Sequence, residues 1–447
     1  MRQFIVFVLL IAGIAGLFAL PGGAKAEAPG TPEIVEVVSP GGIRAWLRQE
    51  SSIPLVALEF RFEGGAALVP AEKAGTAALA AAMLREGAGE RGPEAFRQVL
   101  ADNSIRLGFD ATRAGFNGSL FTLTENLELA GDLLRDALMA PRLEEGALNR
   151  LRSALTTSAR RRAQNPNSLA YRAWREKAYA GHPFAIGTRG TEETLPGIGG
   201  TDIEAFLAEV LNRRTLLVGA AGDISPQELG LLLDRVFGEL PDKEPPPALP
   251  AVPPMPSGIE VVPHPAGQSV VVFGHAGISR TDPDWPAALV VTQVLGGSSF
   301  TSRLGQEVRE KRGLAYGIGA SLRAYRDFGT IAGRTATRND AVSESMRIIR
   351  EEWARLADNG PTAEEVDDAK AYLIGSFPLS LDSTGSIASV LVTMQYYGLG
   401  RDYWKTRAAQ FEAVTVEDAR RVAKRVLKPD ALLSVVAGQP KDVTSSF

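Results

Sequence analysis

The 447-residue chain contains no cysteine. That excludes disulfides, thiolate metal ligation and a thiol nucleophile. Histidine is nearly as scarce, with only His182, His264 and His275. No two of them stand three or four residues apart, so none forms a helical ligand pair, and each reads as an ordinary surface or partly buried polar residue. Charge of either sign is not in excess: 48 Lys and Arg against 52 Asp and Glu leave a net −4. No basic face is expected, and with it no nucleic-acid partner. No G-x-S-x-G elbow, phosphate loop or Rossmann glycine fingerprint occurs in a strand-to-helix context. Gly-rich LGGSSF (295–300) lacks the Lys-Ser/Thr that a phosphate loop needs. The last absence is local. AGTAALAAAMLREGAG (74–89) reads as a helix, yet residues 74–85 contain no His, Asp or Glu.

What is present begins with one long apolar run. Arg2 is followed by FIVFVLLIAGIAGLFAL (4–20), broken by Pro21-Gly22-Gly23 and then by Ala24-Lys25-Ala26. This predicts a secretory signal peptide, residues 1–26, cut after Ala26, with an uncleaved anchor as the alternative. The run is short for a membrane span, and no later stretch reaches about 18 uninterrupted apolar residues. A periplasmic or secreted location follows, with no membrane attachment after cleavage. A chain this long can bury enough surface there without disulfides.

Residues 241–257 (PDKEPPPALPAVPPMPS) are too rich in proline for helix or sheet interior and predict a semi-rigid linker. The flanks resemble each other. Val210–Gly222 and Val426–Gly438 share one spacing: the end of an amphipathic helix, a polar break, an apolar strand and a glycine. LVALEFRFEGG (55–65) and SVVVFGHAG (269–277) are apolar strands, each leading into an alanine-rich helix at 77–84 or 287–295. The expected organisation is two copies of one unit, 27–240 and 258–447. The expected fold class is α+β, each unit a mostly antiparallel sheet with helices packed on one face. Each unit should open on a short hairpin, in the first copy 33–49 with Gly41-Gly42 as its turn. Helical periodicity is clear at 144–163, 201–211, 340–357, 362–375 and 415–427.

Other features read plainly. Glu144-Glu145 and Glu364-Glu365 sit at helix starts, where the helix dipole favours carboxylates. Arg160-Arg161-Arg162 reads as a solvated helix face. Gly296-Gly297-Ser298-Ser299 is a turn with an N-cap or a mobile substrate-facing loop. The aromatics of YYGLGRDYW (396–404) read as core and helix-packing residues.

The layout resembles the pitrilysin/insulinase family of zinc peptidases, the inverzincins, over roughly residues 33–440. Their first helix carries H-x-x-E-H between a Gly and a Met-Leu followed by a Gly. Gly75, Met83-Leu84 and Gly87 match that frame, which puts Ala78, Ala81 and Ala82 at the His, Glu and His positions. The third ligand should fall on 147–163, which has no carboxylate. The segment 165–195, with its AGHPF turn, is similar to the family's stretch after that ligand. The family's second signature, LRE-x-x-G-L-A-Y, is matched by VREKRGLAY at Arg309, Glu310, Gly313, Leu314, Ala315 and Tyr316. A helix ending near Arg312 and a break at Gly313 would place Tyr316 on a following strand. By themselves these two residues would read as a surface Arg and a packed Tyr.

The resemblance implies a non-catalytic subunit of a heterodimeric zinc metallopeptidase, with a peptide as substrate. It would bind no zinc itself and would supply Arg309 and Tyr316 in trans to a partner carrying H-x-x-E-H and the zinc. Two alternatives remain open: a structural or assembly protein of the same fold, and a module that binds peptides without cutting them.

Overall fold

A computed structural model describes residues 33–298 and 300–447. The expected signal segment, 1–26, lies outside them. The first unit runs β1 (Val35–Val38), β2 (Arg44–Gln49), β3 (Leu55–Glu63), α1 (Thr76–Met83), α2 (Pro93–Asp102), β4 (Arg106–Ala111), β5 (Gly115–Leu123), α3 (Leu127–Met139), α4 (Glu145–Ala163), α5 (Pro166–Ala178), α6 (Gly200–Val210), β6 (Leu216–Gly222) and α7 (Pro226–Phe237). The second runs β7 (Gly258–Pro263), β8 (Gln268–Gly277), α8 (Trp285–Gly296), a π-helical turn (Gly305–Glu310), β9 (Ala315–Ala324), β10 (Gly329–Arg338), α9 (Val342–Asn359), α10 (Ala363–Ser376), α11 (Thr384–Tyr396), α12 (Tyr403–Glu412), α13 (Val416–Val426) and β11 (Leu433–Gly438). Among the described residues no helix is long and apolar enough to cross a membrane.

The repeat is visible in strand order. The six-stranded sheet is β1-β2-β6-β3-β5-β4 and the five-stranded one β7-β11-β8-β10-β9. Setting β1 aside, the two orders superpose strand for strand. In each, the pair β2–β6 or β7–β11 is parallel and every other pair antiparallel. The shared Val-to-Gly spacing corresponds to α6 into β6 and α13 into β11, ending at Gly222 and Gly438 in positive φ. β1 and β2 form the expected hairpin, with Gly42 at φ +85. Among the described residues the second unit has no such hairpin: β7, the counterpart of β2, is the edge of its sheet and no strand stands where β1 does. The residues before Gly258 are the prolines of the linker, which lack the amide hydrogens a further strand would need.

Strand alternation decides which face meets which layer. In β3, Val56, Leu58, Phe60 and Phe62 enter a core shared with α1, α3, α4, α6 and α7. The second unit buries the equivalent face of its sheet under α8, α9, α10 and α13. Each unit's own helices thus lie on one face, as expected. The other face is also covered, by a helix of the opposite unit. α5 lies across β8 and β11, and α11 lies across β6, β3 and β2. Trp174 and Ala178 of α5 pack with Val270, Val272, Leu433 and Val435, and the Trp174 indole donates to the Leu433 carbonyl at 3.1 Å. Ile387 and Ala388 of α11 pack on Ala57 and Ala221, and Gln395 donates to the Val218 carbonyl at 2.8 Å. Burial on both faces is why β8 reads VVVF without a polar alternation.

The linker 241–257 has no helix or strand and is tied to the body. Asn212 Nδ2 donates to the Lys243 and Glu244 carbonyls at 3.0 and 3.2 Å. Its Val252 and Met255 pack beside α5.

Exchange of α5 makes Trp174 a shared core residue. Trp174→Ala should cost about 3–5 kcal/mol in chemical denaturation, and Trp174→Phe distinctly less. A second consequence concerns Glu59, on the β3 face that lines a 550 Å³ cavity beneath α11. No hydrogen-bond or ion-pair partner reaches its carboxyl among the described residues, and burial pushes it up from 4.5 to about 7. Between those values the folded chain keeps a proton that the unfolded chain releases, so stability falls as pH rises through this window. Glu59→Gln should raise the Tm at pH 8 and leave it nearly unchanged at pH 4; an equal shift at both would show that the charge is not responsible.

Candidate functional site

The alanine-rich helix α1 starts after Gly75, which holds φ +110. Ala81 is buried, whereas Ala78 and Ala82, one turn apart on one face, are half-buried. α4 packs against α1, with Ala147, Leu148 and Ala159 buried. Zinc needs lone pairs from nitrogen, oxygen or sulfur, and a methyl group has none. The residues at these positions therefore do not fit the metal that the resemblance implies. Among the described residues no group of three His, Asp or Glu is placed to hold a metal ion.

The histidines have structural environments. His182 is buried; its Nδ1 accepts from the Phe184 amide at 3.1 Å and its Nε2 donates to the Pro250 carbonyl at 2.9 Å. His275 Nε2 accepts from the Trp353 indole at 2.9 Å and from the Lys428 amide at 3.2 Å. Burial lowers its pKa, which keeps the ring neutral. His264 is half-buried, and its amide donates to the Gly438 carbonyl.

Arg309 and Tyr316 are brought together by a sharp change of backbone. Arg309 lies in the π-helical turn Gly305–Glu310 rather than in an α-helix. Such turns open the regular ladder and are frequent at functional sites. Gly313 then adopts φ +60, which side chains resist, and reverses the chain into β9. Tyr316 is the second residue of that edge strand, flanked by buried Ala315 and followed by buried Ile318. Its side chain is 89% exposed. The Arg309 guanidinium lies 5.1 Å from the Tyr316 ring and 3.8 Å from the Phe300 ring. Its Nε faces Glu310 at 3.3 Å, and its two terminal nitrogens have no partner among the described residues. Tyr316 also lines a 640 Å³ cleft closed by β10 and by Asn167 and Tyr171 of α5, with Arg323 and Arg334 on its walls.

Phe300 was not singled out from the sequence. Its only signal is position, directly after the Gly-Gly-Ser-Ser turn and nine residues before Arg309. Ser299 of that turn lies outside the described residues.

The arginine run on α4 is not one solvated face. Arg161 is exposed and Arg160 pairs with Glu192 at 2.9 Å. Arg162 turns inward and donates to Ser158 at 2.9 Å and the Gly190 carbonyl at 3.1 Å. The helical twist of 100° per residue separates three adjacent side chains, and a loop folded over α4 captures the third. The paired carboxylates sit as expected: Glu145 opens α4, and Glu365 caps α10 while pairing with Arg303 at 2.7 Å. The 396–404 aromatics join the two units. Tyr396 stacks against Arg61 at 4.1 Å, and the Tyr397 hydroxyl donates to the Ala324 carbonyl at 3.0 Å.

Comparisons with known proteins agree with this architecture. The family described as Peptidase M16 inactive domain matches residues 198–373, a span that contains Arg309 and Tyr316. The chain is 24% identical to the non-peptidase homolog YmxG of Helicobacter pylori, across 99% of this chain and 100% of that protein. It is 27% identical to an uncharacterized zinc protease of Streptomyces coelicolor, over 72% of each. The crystal structure of a peptidase M16 inactive domain from Pseudomonas fluorescens superposes with a TM-score of 0.86 at 26% identity, covering 92% of this chain and 98% of that one. A chain of complex III2 from Candida albicans shares the fold at a TM-score of 0.76 and 15% identity, over 92% and 97% of the two chains. By sequence and by fold the chain is thus similar to M16 peptidase homologues, the pitrilysin/insulinase family, and among them to a non-peptidase homolog and to the family's inactive domain.

Proposed function

We propose that the chain is the substrate-binding, non-catalytic subunit of a secreted heterodimeric zinc metallopeptidase, and that it supplies Arg309 and Tyr316 in trans. The partner is a chain of the same family that carries H-x-x-E-H and the zinc. The observation behind this reading is Tyr316, 89% exposed at the start of a strand in which Ala315 and Ile318 are buried, with the Arg309 guanidinium stacked beside it. The stack fixes the guanidinium by its faces and leaves its terminal N–H groups for a ligand. Two such donors suit a peptide carbonyl, and they hold it more tightly once it becomes an oxyanion. The attacking water is activated on the partner. The adjacent cleft, with Arg323 and Arg334 on its walls, leaves room for polypeptide beside Tyr316. The structural-protein reading has behind it the likeness to the complex III2 chain, which at 15% identity concerns architecture alone.

The purified chain should carry no stoichiometric zinc by metal analysis; tight equimolar zinc would refute the assignment of Ala78, Ala81 and Ala82. Co-expression with an H-x-x-E-H chain should give a complex that cleaves unfolded polypeptide. In that complex Arg309→Ala with Tyr316→Phe should lower kcat/KM by about 10²–10³ while gel filtration shows assembly intact. An unchanged rate would remove the in-trans role, and a complex that binds peptide without cutting it would favour the binding-module reading.

A further inference from the structure

A second cleft lies on the first unit, away from Arg309 and Tyr316. It has a volume of 420 Å³ and runs between the end of α4, α5 and the loop 185–194, beside Ala74 at the mouth of α1. Five arginines line it: Arg113, Arg162, Arg172, Arg175 and Arg189. Three carboxylates share the lining, Glu176, Glu192 and Glu193. Glu176 is taken by Arg172 at 2.9 Å and Glu192 by Arg160 at 2.9 Å. Glu193 is fully exposed and bonds to Thr191.

Among the described residues, four guanidinium groups therefore converge without a carboxylate partner. Arg113 leaves its Nε buried with no acceptor. Arg175 makes one bond, from Nε to the Ala185 carbonyl at 2.9 Å. Arg162 reaches only Ser158 and the carbonyls of Arg189 and Gly190. Arg189 is exposed, and no partner reaches its side chain among the described residues. The groups also burden one another. Burial and then Arg113 push Arg175 down to about 10, and burial and then Arg189 lower Arg162. Holding like charges together, one of them with a buried unpaired N–H, costs stability unless an anion completes the site.

We propose that this cleft binds the carboxylate of a polypeptide, with Arg113, Arg175 and Arg189 as its principal donors. The planar guanidinium fork matches the two oxygens of a carboxylate, and the volume accommodates a short peptide segment. The carboxylate comes from a chain terminus or from an Asp or Glu side chain. The site rests on the reading of this chain as a substrate-binding subunit. It gives the ground beside the start of α1 a role in cationic recognition, next to the alanine positions 78, 81 and 82 but not lined by them.

The test uses the mature full chain and isothermal calorimetry. The probes are an acetylated oligoalanine with a free C-terminus, the same peptide amidated, an amidated peptide with one internal Glu, and inorganic phosphate. The free-acid or Glu peptide should bind at least about tenfold more tightly than the amidated oligoalanine, and raised salt should weaken it. Binding by the first assigns the site to a chain terminus, and by the second to an acidic side chain. Arg189→Gln, which removes an exposed and unpartnered group, should weaken binding several-fold with an unchanged Tm. Arg113→Gln should weaken it further. Equal affinity for acid and amide, binding of phosphate alone, or an unaffected Arg189→Gln variant would overturn the proposal. Arg309→Ala/Tyr316→Phe should bind the acid peptide as the parent does. Lost peptidase rate with intact carboxylate binding, or the reverse, then separates this site from the function proposed above.

Discussion

The exchange of one helix between the two units is the interaction on which the rest depends. α5 leaves the first unit to cover β8 and β11, and α11 leaves the second to cover β6, β3 and β2. Neither sheet could keep its second apolar face in water, and neither unit supplies the missing helix from its own chain. Burial of Val270, Val272, Leu433 and Val435 under Trp174 thus ties the stability of one half to the other. The same exchange carries Asn167 and Tyr171 to the cleft beside Tyr316, so the candidate site on the second sheet has a wall from the first unit.

The two units have diverged in chemistry over a shared frame. Matching strand orders show the common frame. On the first unit α1, where the resemblance would put a metal, is rich in alanine, and a cleft beside its start is lined by arginines that have no carboxylate partner among the described residues. On the second, the equivalent alanine-rich helix, α8, leads into a π-helical turn and an edge strand that present Arg309 and Tyr316. Likeness to a peptidase family therefore says little about catalysis until individual positions are read.

Much of this was legible in the sequence. The Val-to-Gly spacing announced the repeat, and the five periodic segments became α4, α6, α9, α10 and α13 within two residues at each end. The break at Gly313 located the turn before Tyr316, because a glycine at positive φ is a local requirement. Three things escaped. The hairpin anticipated in the second unit is not formed, because no strand pairs with the outer edge of β7 among the described residues, and partner choice between strands is not local. Phe300 escaped because stacking on Arg309 depends on how a loop folds. Arg162 escaped because its two neighbours do face solvent.

The sequence by itself determined the two-unit plan, the alanine identity of positions 78, 81 and 82, and the presence of Arg309 and Tyr316 in the right order. These follow from local periodicity, backbone preference and residue chemistry. Tertiary structure decided where α5 and α11 dock, which arginines share a cleft, and whether Arg309 meets Tyr316 or solvent. Those outcomes depend on burial and charge proximity between segments far apart in the chain, and no local pattern encodes a distance of that kind.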